Sequence, residues 1–173
     1  MRSALRLFCL LGLTVLVPVA ASGQDKSLLR DPAIASMTAA AKGLRGDYFY
    51  PGGSVSEQIG RGMSIPGDIV KLEDGTWLVD GCRYGSCTEK SAIVVTERGR
   101  GLAAAILHFH CRPYKKETKS GGCDDDYTLT ILLRPGTTSA LVPENLRNWA
   151  TKEISGYKDH NSIKNFETRM LPR

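Results

Sequence analysis

Residues 76–111 read TWLVDGCRYGSCTEKSAIVVTERGRGLAAAILHFHC, and the reading of this run decides the fold. Thr76 to Gly81, Ser91 to Glu97 and Leu102 to Cys111 are strand-length segments rich in Val, Ile, Leu, Thr and aromatics, separated by polar turns. Glu97-Arg98-Gly99-Arg100-Gly101 is short enough to make the second and third a hairpin. A fourth segment of the same kind, Tyr127 to Arg134, follows the charged stretch RPYKKETKSGG. Sequential short strands joined by tight turns predict an antiparallel meander.

Helices are expected on either side of this centre. In DPAIASMTAAAKG, Asp31 is a candidate N-cap, Pro32 fits the first helical position and Gly43 stands just past the end, with Ile34, Met37 and Ala41 on one stripe. Pro143-Glu144-Asn145 starts a second helix that puts Leu146, Trp149 and Ala150 on one side and stops at Ser155-Gly156. Gly43 to Gly75 holds no sustained period and reads as loops with one or two short strands, the clearest near Asp68 to Leu72. Tyr157 to Arg173 has mixed charge and little period and is expected to be only partly ordered. The fold class is therefore α+β: an antiparallel β-sheet meander with helices packed on one face, stabilised by disulfides.

The N-terminus, MRSALRLFCLLGLTVLVPVAASG, runs from basic residues through a short apolar stretch to small residues, the order of a cleaved export signal over residues 1–23. Residues 24–173 then form a single domain. The apolar run is too short for a comfortable membrane span, so no membrane insertion of the exported chain is expected. Without Arg2 and Arg6 the formal charge of +5 falls to about +3, and the one basic cluster is followed at once by Asp124-Asp125-Asp126, so nucleic acid is not the expected partner. Four cysteines remain after the signal, Cys82, Cys87, Cys111 and Cys123. An even count in an exported chain reads as disulfides, and the periplasm is the expected compartment. Three pairings are open; the sequential one, Cys82 to Cys87 and Cys111 to Cys123, needs the fewest long closures. A bridge from Cys111 to Cys123 would tie the base of the 112–122 loop and stabilise by roughly 2 to 4 kcal/mol in the chain-entropy account.

Few residues could carry catalysis. The pieces Gly60 to Gly62 and Gly99 to Gly101 lack the context of a phosphate loop, and no serine stands in a nucleophile elbow. His108 and His110 share one face of a strand, but a metal would need a third ligand from Asp124, Asp125, Asp126 or His160, and nothing in the sequence fixes one. No cofactor, no metal and no enzymatic activity are expected. The informative motif is Cys82-Arg83-Tyr84-Gly85-Ser86-Cys87. A bridge across it would make a small stiff loop that lowers the conformational cost of presenting Arg83 and Tyr84, residue types that often anchor interfaces, with Gly85 and Ser86 completing the tip.

The run WLVDGCRYGSCTEKSAIVVTERGRGLAAAIL, residues 77–107, resembles the central region of the periplasmic inhibitors of vertebrate c-type lysozyme. There a strand leads into a six-residue CKPHDC loop, followed by an aliphatic strand, a charged turn and a further apolar strand. Cys82 and Cys87 match the loop cysteines, and Arg83 replaces the Lys. Tyr84 and Gly85 stand where the family has Pro and the His that meets the catalytic carboxylates. Cys111 and Cys123 have no counterpart. The resemblance implies a non-enzymatic protein of the cell envelope that acts in bacterial defence against c-type lysozyme or another cell-wall hydrolase, by placing Arg83, Tyr84, Gly85 and Ser86 in the enzyme cleft. The alternative is a periplasmic binding or immunity protein of the same fold with a different target, using the 112–122 loop with Tyr114 and its lysines. A homodimer is compatible with either reading.

Overall fold

The structure is a computed structural model that describes residues 26–115, 120–157 and 162–173, the side chains of 112–121 excepted. The expected export signal lies outside the described residues. A sheet of six strands runs β3 (Ile65–Lys71), β4 (Trp77–Arg83), β5 (Ser86–Val95), β6 (Gly101–Lys115), β7 (Ser120–Leu133) and β8 (Ile163–Met170), in that spatial order. The pairs from β3 to β7 are antiparallel, and β8 joins β7 in parallel. Before the sheet come α1 (Arg30–Ala40), a two-stranded ribbon of β1 (Arg45–Gly46) and β2 (Gly53–Ser54), and α2 (Val55–Gly62). The crossover from β7 to β8 contains α3 (Leu141–Ile154), which supplies the length that a parallel connection needs.

Strand alternation divides the core into two layers. Val79, Ile93, Ala104 and Leu132 stand side by side in register and meet Ala33 and Met37 of α1 and Val55 and Ile59 of α2. The alternate residues Leu78, Ala92, Val94, Ala103, Ala105 and Ile131 meet Val142, Leu146, Trp149 and Ala150 of α3. Packing on one face thus describes α1 and α2, while α3 lies over the alternate face. The alanines at 103–105 fall where helices press on both faces of β6, and all three are fully buried. Each buried Val, Leu, Ile or Met side chain contributes about 1.5–3 kcal/mol, and each alanine methyl less than about 1 kcal/mol.

The α+β class and the central strands are as expected, as are both cysteine pairs, with Cα separations of 4.8 Å for Cys82–Cys87 and 3.9 Å for Cys111–Cys123. Several boundaries differ. A 3-10 turn over Lys26–Leu29 feeds α1, so Leu29 occupies the cap position; Asp31 lies in the first turn, where its charge favours the helix dipole instead of capping it. Helix α2 falls where the sequence predicts loops and short strands, and α3 starts two residues before Pro143, which fits inside the first turn because its missing N–H has no helical partner there. Residues 163–170, expected to be only partly ordered, form an edge strand held by main-chain pairing along β7.

Candidate functional site: a disulfide-closed hairpin tip

The β4–β5 hairpin turns through Tyr84 and Gly85, between the paired residues Arg83 and Ser86. Gly85 has φ +80°, a left-handed conformation that a side chain would strain. The register breaks between Cys82, which faces Lys90, and Arg83, so Cys87, Thr88 and Glu89 bulge from β5 and the Cys82–Cys87 bridge closes this bulge.

Neighbouring elements hold the ring on both flanks. Ser64, just beyond α2, accepts the Tyr84 N–H through its hydroxyl oxygen at 2.8 Å and lies 3.3 Å from the Cys82 carbonyl. At the end of α3, the Tyr157 hydroxyl donates to the Cys87 carbonyl at 3.2 Å. Ser86 and Thr88 hydroxyls meet at 3.1 Å. The Arg83 guanidinium turns back from the apex, pairing with the Glu89 carboxylate and lying 5.7 Å above the Phe49 ring. Glu89 is buried, and loss of hydration raises its pKa above the ordinary carboxylate value, against the opposing pull of Arg83 and a Ser86 hydrogen bond.

Of the tip residues expected to face a partner, Tyr84 projects, 82 % exposed. Gly85 is exposed beside it, Ser86 is half-buried, and Arg83 forms the base of the ring. The pairing registers Cys82–Lys90, Lys90–Leu107 and Leu107–Leu129 place the β4–β5 turn and the β6–β7 loop at the same end of the sheet. Both disulfides therefore brace hairpins that emerge together. The Tyr114 side chain and the lysines of the second hairpin lie outside the described side chains.

His108 and His110 do share a face, in a cleft of about 540 Å³ lined also by Arg45, Tyr48, Asp124 and Glu167. His108 is buried, with Nδ1 3.2 Å from the Phe109 carbonyl and Nε2 3.1 Å from the Thr130 hydroxyl. Nδ1 therefore donates and Nε2 accepts, and burial pushes the imidazole pKa down to about 4, so it is neutral. Asp126 is engaged with Lys164 and with the Ser162 hydroxyl, the latter at 2.7 Å. His160 lies outside the described residues. Among the described residues, no group of three or more His, Cys, Asp or Glu is placed to hold a metal ion.

Asp80 has a structural role that the sequence reading missed. Its carboxylate accepts the Trp149 indole N–H at 2.8 Å and the Asp68 N–H at 2.6 Å, and Arg30 donates to its carbonyl at 2.6 Å. One side chain thereby pins the β3 bulge and α3 to the strand that enters the ring. The alternation of Leu78 and Asp80 on one side of β4 was the available signal.

No protein-family model, curated protein or solved structure matches the chain.

Proposed function

We propose that this chain is a non-enzymatic protein of the periplasm that inhibits a c-type lysozyme by seating the Tyr84 tip in the enzyme cleft. The observation that carries this reading is an 82 % exposed tyrosine at the apex of a covalent ring tied to Ser64 and Tyr157 on its two flanks. The strand, ring and strand order of residues 77–107, which resembles the lysozyme inhibitors, supports the choice of target. Two disulfides suit an oxidising compartment.

A glycoside hydrolase carries a pair of carboxyl groups on either side of the scissile bond. A phenol fixed in position fills such a cleft and donates its O–H to the ionised carboxylate, a charge-assisted hydrogen bond. Little rotational freedom is lost on binding because the ring is stiff before the partner arrives. Tyr84 thus takes the task that histidine has in the resembled family. Arg83 positions the loop through Glu89 instead of entering the cleft. The 112–122 hairpin, at the same end of the sheet, widens the contact.

The test is competition. A chitin oligosaccharide that occupies the cleft should displace the protein from immobilised lysozyme, and simultaneous binding of both would contradict insertion. If instead substitutions in the 112–122 loop abolish binding to an envelope hydrolase and Tyr84→Ala does not, the second hairpin is the interface and the target differs.

A further inference from the structure

The two edges of the sheet are built differently. β3 is blunted: it contains Pro66, its register is broken between Pro66 and Ile69, and Asp68 and Lys71 are exposed. These are the devices by which proteins prevent edge pairing. β8 at the opposite edge breaks register once, at its start between Ile163 and Asn165, and beyond that break it lies open, with its exposed charges Lys164 and Arg169 as the remaining guard. It contains neither proline nor glycine and pairs with β7 in unbroken register from Thr128–Asn165 to Leu133–Met170. The Leu171 N–H donates to the Leu133 carbonyl at 2.8 Å, which sets the phase of this parallel ladder. Asn165, Glu167 and Arg169 therefore turn their main-chain groups toward β7, and Phe166, Thr168 and Met170 turn theirs outward. Phe166 is 51 % and Met170 60 % exposed on the α3 side, while Glu167 and Arg169 point to the opposite side.

We propose that the outer edge of β8 pairs antiparallel with β8 of a second copy of the chain, about a two-fold axis through Thr168. In this register Phe166 lies opposite the partner's Met170, and Met170 opposite the partner's Phe166, so both exposed apolar side chains are covered. On the other face Glu167 lies opposite the partner's Arg169, and the reciprocal pair forms as well. The outward main-chain groups of Phe166, Thr168 and Met170 all find partners. Neighbouring registers lack this match. An axis at Glu167 sets Glu167 against its own copy, and one at Arg169 sets Arg169 against its own copy. An axis at Phe166 places Glu167 opposite Asn165 and Arg169 opposite Ile163. Arg169 and Glu167 already pair within the strand at 2.8 Å with both side chains largely in water, so exchange across the axis requires little desolvation. The interface is isologous and closes, and it joins two six-stranded sheets into one. It is independent of what the Tyr84 tip binds.

Sedimentation and light scattering of the exported, disulfide-bonded protein from low to high micromolar concentration test this. The mass should rise to that of a dimer. Thr168→Pro should give a monomer with unchanged thermal unfolding, because it deletes only an outward N–H. Arg169→Glu should weaken association, and combining it with Glu167→Arg should restore it; this rescue tests the register even if the proline variant fails to fold. Thr168→Cys should form an intermolecular disulfide, since opposed residues of a hydrogen-bonded pair have Cα atoms about 5.5 Å apart. A monomer at every concentration, a dimer indifferent to the charge reversal, or crosslinking through Glu167→Cys in preference to Thr168→Cys would overturn the proposal.

Discussion

The Arg83 guanidinium is held against the Glu89 carboxylate, with the arginine side chain 33 % and the glutamate side chain 6 % exposed. The cation that stands next to the apex in sequence is therefore part of the ring's foundation. Arg83→Ala leaves the buried carboxylate without its cation and should cost about 1–3 kcal/mol at neutral pH, less than for a fully buried pair. The sign of the pH response follows from the raised pKa of Glu89. Protonation removes the uncompensated charge, so the deficit of the variant should shrink as pH falls through the Glu89 titration. Denaturant midpoints of both proteins at neutral and mildly acidic pH measure this, and a deficit independent of pH would refute it.

Asp80→Asn is nearly isosteric and still damaging. Both carboxylate oxygens accept buried N–H groups, from Trp149 and Asp68, and an amide can offer an acceptor to only one of them. A loss of about 1–3 kcal/mol in urea unfolding is expected. A change within about 0.5 kcal/mol, the scale of an ordinary surface substitution, would show that the two bonds are dispensable.

His108 predicts acid sensitivity. The unfolded chain takes up this proton near the ordinary value of 6.5 and the folded protein only near 4. Stability from the neutral ring is thus present above 6.5 and lost progressively as pH falls through the folded value, up to about 3 kcal/mol. Glu167, His110 and Arg169 also act on this ring, and Glu89 and Asp80, both held above the usual carboxylate range, titrate with the opposite sign. The comparison is therefore with His108→Gln, which does not titrate and can keep a hydrogen bond to Thr130. The difference in stability between the two proteins should grow in favour of the variant from pH 6.5 to 4. Parallel pH profiles would contradict the assignment of a neutral, buried imidazole.

The parts of the fold that were legible are those in which local pattern and packing agree. The strands from β4 to β7 bury aliphatic runs on both faces, and α3 has its apolar stripe at helical spacing. α2 was hidden by composition. Ser54 and Glu57 form a helix-starting pair, and the Glu57 N–H reaches the Ser54 hydroxyl at 3.4 Å, but Gly53, Gly60 and Gly62 argue for a loop. Gly62 is required by contact: a Cβ there would lie 2.0 Å from the Ser91 hydroxyl. β8 was hidden because Asn165, Glu167 and Arg169 face a polar cleft while Phe166 and Met170 are exposed, so neither face carries an apolar period. In the tip, Tyr84 and the ring were readable from spacing alone. The inward turn of Arg83 was not, since nothing local marks Glu89 as buried; it lies in a bulge beneath the tip, near Phe49 from a distant loop.

Inhibition of a c-type lysozyme on cell-wall substrate by the oxidised chain of residues 24–173 and by its Tyr84→Ala variant tests the central claim most directly. Removing a side chain that is largely in water should leave thermal stability within about 0.5 kcal/mol. As an interface anchor it should carry at least about 2 kcal/mol of binding, roughly thirtyfold in affinity. The account predicts sub-micromolar inhibition by the parent and a loss of that size in the variant at equal stability. Absence of inhibition up to high micromolar concentration, or equal inhibition by both proteins, would contradict it.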